Sequence, residues 1–454
     1  MSPAPGSGSG GNRKLRRRRP DRPRLLAHRI LGAVTQQGAY ANLETARVLG
    51  EANLEARDAG FVTELVSGTC RLLGTYDRIL AAASGRDGFD PTLADALRLG
   101  AHQLLSMRVP PHAAIAATVD LAAAEVGEKV AGLTNAVLRK VAAHDLDGWV
   151  ADLSRDEDDL GALALRTHHP RWIAAAYVDL LGDEAEAALA ANNVPPVATL
   201  VIRPGLAEVA DLDGEPTRYS PFGARRAGNP GDVPAVRAGR AGVQDEGSQL
   251  VAWALARTDA PDGPWLDLCA GPGGKAALLA GLARGAGQTL LASELQPHRA
   301  QLVANALRAY EGEHVPVVIA ADGTRPAWAV ARFARVMADV PCTGLGALRR
   351  RPESRWRRSP DDLAALVPLQ RRLLNSALDS VAPGGVVAYV TCSPHVAETR
   401  GVLEAVLAER DDTEVLDAPA ALPGVPAASL GPYVQLWPHR HGTDAMFLAT
   451  LRRV

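Results

Sequence analysis

The feature that most constrains the fold is a regular alternation of short apolar runs and longer amphipathic segments over residues 241–454. Strands are predicted at 265–268, 289–293, 315–320, 335–338 and 386–390, with helices at 273–284, 297–310, 361–381 and 396–409. This alternation predicts an α/β fold, a doubly wound parallel sheet with right-handed crossovers. Two further strands, 433–437 and 445–451, have no helix between them and are expected to pair antiparallel at one edge.

The preceding residues differ in pattern. Residues 25–150 are helical throughout, since apolar residues such as Leu93, Leu97, Ala101 and Leu104 recur at spacings of three and four. They predict an all-helical domain. Residues 151–240 predict a small α+β adaptor with a helix through residue 181, a strand at 199–202 and a basic, Gly/Pro-rich linker from 203 to 242.

Residues 1–24 combine a Gly/Ser/Pro-rich start with a basic run that ends at Arg22 and Arg24. Such a composition cannot form a core, so a disordered tail is expected. It is either solvated or an arm that collects phosphates.

Charge and cysteine content narrow the class of protein. The net charge is only -2, so any nucleic-acid surface has to be local. Four cysteines in 454 residues, without a secretory leader, argue against a disulfide scaffold and for the cytoplasm. No apolar run is long enough to cross a membrane, and no pair of cysteines or histidines has the spacing of zinc ligands.

A glycine-rich loop from Cys269 to Lys275 follows the first strand of the predicted sheet. In such sheets ligands lie beyond the carboxyl ends of the strands, and glycine lets the backbone approach them. Glu294, after the second strand, could accept from ribose hydroxyls, and Asp322, after the third, from an adenine amino group. The loop has neither the dinucleotide-binding nor the P-loop spacing. A second acid after the third strand is typical of methyltransferases rather than dehydrogenases, so S-adenosylmethionine is the expected cofactor. The candidate binding residues of the loop are Cys269, Ala270, Gly271, Pro272, Gly273, Gly274 and Lys275.

The same residues could instead have purely structural roles. A βα turn can be glycine-rich without binding a ligand, and Glu294 and Asp322 could cap helices. Cys269 is more readily explained as a small hydrophobic residue under the loop.

Two cysteines follow later strands, in Asp339-Val340-Pro341-Cys342 and Thr391-Cys392-Ser393. Cytosine C5 is a poor nucleophile, so methylation there needs prior addition of a thiolate at C6. A free thiol is only a few per cent ionised at neutral pH, so the site must stabilise the thiolate. Asp339 is a candidate to hydrogen-bond N3 and make the ring electrophilic. The alternative is a pair of inert, buried thiols.

These motifs resemble those of a known family. The segments 267–275, 339–344, 349–353 and 391–393 with Glu398, extended by 243–249 and 442–447, look like the RNA cytosine-5 methyltransferases. The segments 97–115 and 134–140 resemble the RNA-binding domain of the antitermination factor NusB. The whole chain is similar to the RsmB/Sun family of bacterial 16S rRNA cytosine-5 methyltransferases. It departs from the usual pattern at Gly271, at 343–346 and at 398–400, the last touching only peripheral contacts.

The resemblance implies roles for individual residues. Cys392 would be the nucleophile and Cys342 would help resolve the covalent adduct, although DNA methyltransferases use a Pro-Cys pair like Pro341-Cys342 as nucleophile. Both assignments remain open from the residues alone. The resemblance also places the following residues around cofactor and target: Lys275, Glu294, Arg299, Asp322 and Asp339. It further implies that the partner is RNA, with 16S rRNA as the expected one, and that the protein is a monomer with no obligatory protein partner.

A basic segment follows Cys342, with Trp356 as a possible stacking platform for a base. Its arginines are Arg349, Arg350, Arg351, Arg355, Arg357 and Arg358. It is either an RNA-contacting surface or a solvated loop. Rival functions are the same chemistry on tRNA or at another rRNA site, and a non-enzymatic RNA-binding or antitermination protein.

Overall fold

A computed structural model describes residues 20–454, and the chain divides into two compact units after Asp156. Most of the predicted basic tail, residues 1–19, lies outside the described residues. The first helix starts at Arg22, where the side chain of Asp21 caps it by accepting from the backbone N–H of Arg24 at 3.0 Å. The tail predicted for 1–24 is therefore too long, since Arg22 and Arg24 belong to this helix.

The N-terminal unit is helical, as predicted. Its helices bury one continuous apolar core that includes Leu31, Val66, Leu97 and Leu138. Asp90 and Pro91 begin one of them, with the Asp90 carboxylate accepting from the N–H groups of the first turn. The described helices are α1 (Arg22–Gln37), α2 (Ala41–Ala52), α3 (Ala56–Ser84), α4 (Pro91–Leu105), α5 (Pro111–Glu125), α6 (Ala131–Val141) and α7 (Leu146–Leu153).

The second unit opens with the adaptor. It comprises α8 (Asp159–Arg166), α9 (Arg171–Leu181), α10 (Ala185–Ala191), β1 (Thr199–Ile202), β2 (Glu215–Pro216), β3 (Gly223–Arg225), α11 (Pro234–Arg237) and β4 (Ala241–Val243). The strands form a small antiparallel sheet in the order β2-β3-β1-β4. Prediction of a linker over 203–242 is wrong, because these residues pair with β1 around a core that includes Leu200, Leu212 and Ala224.

The rest of the unit carries the large sheet. Its elements are α12 (Glu246–Arg257), β5 (Trp265–Asp267), α13 (Gly274–Gly285), β6 (Leu290–Glu294), α14 (Pro297–Leu307), β7 (Val317–Ala320), β8 (Phe333–Asp339), α15 (Ser354–Arg357), α16 (Pro360–Ser380), β9 (Val381–Thr391), α17 (Arg400–Leu407), β10 (Thr413–Val415), β11 (Ser429–Leu430), β12 (Tyr433–Gln435), α18 (Pro438–His441) and β13 (Phe447–Arg453). The strand order is β11-β12-β13-β9-β8-β5-β6-β7, with β10 on β13.

Helices cover both faces of this sheet. Met337 of β8 packs in the core formed with α12, α13 and α14, while its neighbours Val336 and Ala338 pack with α16 and α17. Burial on both faces explains the unbroken apolar run of β9. The five central strands are parallel, as predicted. β12 and β13 pair antiparallel, also as predicted, but the four-residue helix α18 lies between them, where no helix was expected. β13 joins them to the parallel strands by pairing antiparallel with β9.

The topology places the site. The chain runs from β5 outward to β6 and β7 and then returns to β8 on the other side of β5. Ligands of such sheets bind at this switch point, beyond the carboxyl ends of the strands. None of the helices described in residues 20–454 has the length and apolarity to cross a membrane.

Candidate active site

The glycine loop packs tightly against the acid that follows β6. Glu294 accepts from the backbone N–H of Gly271 at 3.1 Å and from that of Gln296 at 3.0 Å. Arg299 donates to the carbonyl of Gly271 at 2.9 Å, so this candidate cofactor residue braces the loop. A methyl group at Gly271 would lie 2.0 Å from Glu294 Oε2, and Gly273 has a φ of 110°. Glycine is thus required for this loop geometry.

Asp322 lies just beyond the end of β7 and is exposed. Its Oδ1 accepts from the backbone N–H of Thr324 at 2.9 Å and from the Thr324 hydroxyl at 2.8 Å. These hydrogen bonds lower the pKa of the Asp322 carboxyl, which keeps it ionised. An exposed carboxylate at this position can accept from a ligand amino group.

Asp339 and Lys275 form an ion pair between the carboxyl end of β8 and the start of α13, with Nζ and Oδ2 2.9 Å apart. Burial alone would lower the pKa of Lys275, but the charge of Asp339 and its hydrogen bond raise it. The loop lysine is therefore a fixed positive charge beside Asp339.

The two cysteines meet beside that pair. Cys342 follows β8 and Cys392 follows β9, which is the adjacent strand, and their sulfur atoms are 3.3 Å apart. The hydrogen bond with Cys342 lowers the pKa of Cys392, and the charge of Lys275 lowers it further, whereas burial and the negative charges of Asp339 and Asp444 oppose this shift. The pKa of the Cys342 thiol is correspondingly raised by its contact with Cys392 and by burial. The arrangement favours a thiolate at Cys392.

A buried polar network that the sequence did not predict fixes the two cysteine loops. Glu398 accepts from the backbone N–H of Thr343 at 2.8 Å and from its hydroxyl, and Gln370 donates to the same carboxylate at 3.0 Å. The Thr343 hydroxyl also lies 3.1 Å from that of Ser393. Since Thr343 and Ser393 directly follow the two cysteines, this network holds the thiols at their separation. Glu398 belongs to the motif that follows Cys392, but no sequence signal marks Gln370.

The basic segment after Cys342 is largely committed to internal contacts. Arg349 donates to buried Asp245 at 2.9 Å and to buried Asp444 at 3.2 Å, and Arg350 also pairs with Asp444. Arg355 is fully buried and donates to Asn193 at 2.6 Å. The interpretation of this segment as an RNA-contacting surface is therefore wrong for Arg349 and Arg355.

Asp267, the last residue of β5, was not singled out from the sequence as a site residue. It is 1% exposed, and neither carboxyl oxygen has a hydrogen-bond partner of normal geometry among residues 20–454. Burial and the negative charge of Asp339 raise its pKa to about 8. Nearby Cys269 packs against the core on one side of the sheet, and burial raises the pKa of its thiol, which agrees with an inert residue under the loop.

These residues fit an adenosyl cofactor. The loop is so narrow at Gly271 that a methyl group would displace the Glu294 carboxylate, and that carboxylate keeps acceptor capacity beyond its two backbone hydrogen bonds. Glu294 and Asp322 would hold the ribose and the adenine, at the ends of adjacent strands β6 and β7.

Comparison with known proteins agrees with this geometry. Residues 253–452 match the family model of the 16S rRNA methyltransferase RsmB/F, and residues 21–143 match the NusB family. A protein of Mycobacterium tuberculosis whose name says methyltransferase and gives no substrate is 48% identical, over 96% of this chain and 98% of its own length. The ribosomal RNA small subunit methyltransferase B of Pseudomonas syringae is 33% identical, over 95% of this chain and 97% of its own length.

Solved structures share the fold. The crystal structure of PH0851 superposes with a TM-score of 0.78 and 22% identity, covering 96% of this chain and all (100%) of that chain. NSun6 from Pyrococcus horikoshii has a TM-score of 0.53 and 17% identity, covering 63% of this chain and 98% of its own. On these relatives and its two family matches, the chain belongs to the RsmB/F family of S-adenosylmethionine-dependent RNA methyltransferases.

Proposed function

We propose that the chain methylates C5 of a cytosine in 16S rRNA through a covalent adduct between Cys392 and C6 of the ring. The observation that carries this proposal is the pair of sulfur atoms 3.3 Å apart, beside the ion pair of Asp339 and Lys275. The choice of RNA is supported by the family, described as a 16S rRNA methyltransferase, and by the name of the relative from Pseudomonas syringae.

The reaction begins when a cytosine leaves the base stack and enters the site, which costs least in a loop of the RNA. The Cys392 thiolate adds to C6, and the electrons of the C5–C6 double bond move toward N3, which takes up a proton from solvent and returns it once C5 is methylated. The Asp339 carboxylate, paired with Lys275, accepts a hydrogen bond from the N3–H group so formed. C5 becomes an enamine carbon and therefore a nucleophile. S-adenosylmethionine, when bound, supplies the electrophilic methyl group that C5 accepts.

Resolution of the adduct reverses the addition. The C5 proton leaves to solvent, its bonding electrons restore the C5–C6 double bond, and the C6–sulfur bond breaks with its electron pair on Cys392. Cys342, hydrogen-bonded to that sulfur, stabilises the departing thiolate. The lowered pKa of Cys392 and the raised pKa of Cys342 support this division of roles over the opposite one.

Denaturing electrophoresis of enzyme incubated with RNA and S-adenosylmethionine tests the roles. Cys392→Ala should abolish both methylation and any covalent complex. Cys342→Ala should attack and methylate but release slowly, so RNA stays attached to the protein. Cys70→Ala is the matched control, at a buried cysteine of α3 in the N-terminal unit, and should turn over like the wild type.

The opposite pattern, an adduct in Cys392→Ala and none in Cys342→Ala, would transfer the nucleophile to Cys342. Full methylation in both variants without any adduct would end the covalent mechanism. Bisulfite sequencing of total RNA from a deletion strain tests the substrate, because one 16S cytosine should lose its methylation. Loss in tRNA with 16S rRNA unchanged would refute the 16S assignment.

A further inference from the structure

Gln244 stands out because its side chain is buried without partners. Its residue is 6% exposed, and neither Oε1 nor Nε2 has a hydrogen-bond partner among the residues that the structure describes. The backbone is firmly held, with N–H donating to Thr199 at 2.9 Å and the carbonyl accepting from Gln249 at 3.0 Å. Buried polar groups almost always pair, so a donor and an acceptor without a protein partner on one carboxamide are available to a bound molecule.

The carboxamide lies against the start of α13. A methyl group at Gly274, the first residue of that helix, would be 3.8 Å from Cδ and 3.9 Å from Nε2 of Gln244. The first N–H groups of a helix have no partner within it, and no side chain caps α13 at Gly273. Gln244 therefore lies beside the free backbone N–H groups at the N-terminus of α13, the helix that follows the glycine loop.

The residue after Gln244 is connected to the Cys392 loop through Asp444. This residue, Asp245, accepts from Arg349 and from the backbone N–H of Asp444 at 3.0 Å. Asp444 is followed by Ala445, whose N–H donates to Gly346, and the N–H of Gly346 donates to the Cys392 carbonyl at 2.8 Å. Glu294 and Asp322 lie instead after β6 and β7, on the far side of β5. The adenosine end of the cofactor belongs with those acids, which leaves its other end toward Gln244.

We propose that Gln244 binds the α-amino acid end of S-adenosylmethionine. That end carries one carboxylate and one ammonium, which match the two orphaned atoms: Nε2 donates to the carboxylate and Oε1 accepts from the ammonium. The helix N-terminus adds favourable N–H groups for the carboxylate. The proposal rests on S-adenosylmethionine as cofactor and is independent of the cysteine chemistry.

Calorimetry with two ligands isolates this contact. S-adenosylhomocysteine keeps the amino acid end, whereas 5′-deoxy-5′-methylthioadenosine has the same adenosine and sulfur without it. Gln244→Ala should weaken S-adenosylhomocysteine about 10- to 100-fold, the effect of one charge-assisted hydrogen bond, and leave methylthioadenosine unchanged. Gln244→Glu keeps the shape and should weaken S-adenosylhomocysteine further, because its carboxylate repels that of the ligand.

Gln103→Ala is the matched control. Gln103, on α4 of the N-terminal unit, is also buried, but its carboxamide donates to the Leu99 carbonyl at 3.0 Å and accepts from Arg24 at 2.7 Å. The loss of this side chain should lower the melting temperature without changing the ratio of the affinities for S-adenosylhomocysteine and methylthioadenosine.

Several results would overturn the proposal. An equal loss of affinity for both ligands in the Gln244 variants would make Gln244 a structural support. Unchanged affinity for S-adenosylhomocysteine with weaker RNA binding would assign the carboxamide to the RNA base. Failure of the wild type to bind either ligand would overturn the cofactor and, with it, this contact. None of these results depends on whether Cys392 forms an adduct.

Discussion

Asp267→Asn should change how stability depends on pH. Asp267 ends β5 directly before the cofactor loop, buried without a hydrogen-bonded partner of normal geometry among residues 20–454. Its pKa is about 8 in the folded protein, against an ordinary value of 3.8. The folded chain therefore keeps the proton over a range in which the unfolded chain releases it.

The sign follows from that difference. Between pH 3.8 and about 8 the unfolded state binds fewer protons than the folded state, so rising pH favours unfolding. The stabilising effect of the protonated carboxyl is fully present below the unfolded pKa of 3.8 and is lost once the pH reaches the folded pKa of about 8. Each pH unit in the window is equivalent to about 1.4 kcal/mol. From pH 5 to pH 8 the wild type should thus lose about 4 kcal/mol through this single group.

Asparagine has nearly the same shape but cannot titrate, so Asp267→Asn should lack this loss. Urea unfolding at a series of pH values, followed by tryptophan fluorescence, measures it, since six of the seven tryptophans lie after residue 156. Comparing slopes with pH cancels the fixed cost of the buried amide. Asp322→Asn is the control, because the pKa of that exposed carboxyl is lowered and it should not titrate between pH 5 and pH 8. Parallel pH slopes for wild type and Asp267→Asn would refute the protonated carboxyl.

Three further predictions follow from the site. Gly346→Ala should lower the melting temperature, at a cost of about 1–3 kcal/mol, and should reduce the methylation rate at least tenfold, because the new methyl group would lie 2.2 and 2.8 Å from two carbonyl oxygens, one of them that of Cys392. Gly424→Ala, in open space, should be neutral. If the two variants behaved alike, the close packing around Gly346 would be contradicted. Asp322→Ala should weaken S-adenosylmethionine binding in calorimetry, and unchanged affinity would remove this residue from the site. Arg349→Ala should destabilise the protein by about 3–5 kcal/mol, since it removes the ion-pair partner of buried Asp245 and one of the two arginines paired with buried Asp444. It should not change the salt dependence of RNA binding; a salt slope flatter by about 0.9 would instead restore a phosphate contact.

The large sheet was predictable because its signals are local. Strands buried on both faces are continuous apolar runs, such as Val386–Val390, and helices between them repeat at 3.6 residues. The small sheet of the adaptor was not predictable in the same way. Its strands have two to four residues, and β1 pairs with β3 and β4 across loops too irregular for any periodicity to reveal.

The sequence by itself determined the family, the cofactor loop, the acids after the strands and the two cysteine motifs, because each is carried by residues close together in the chain. The tertiary structure decided which charged and polar groups meet. Arg349 and Asp444 are 95 residues apart in sequence and form a buried pair, so an arginine from a run that suggests an RNA surface instead makes an internal contact. Likewise, the desolvation of Asp267 and the orphaned carboxamide of Gln244 exist only once distant elements have packed around them, since burial depends on every neighbour in space.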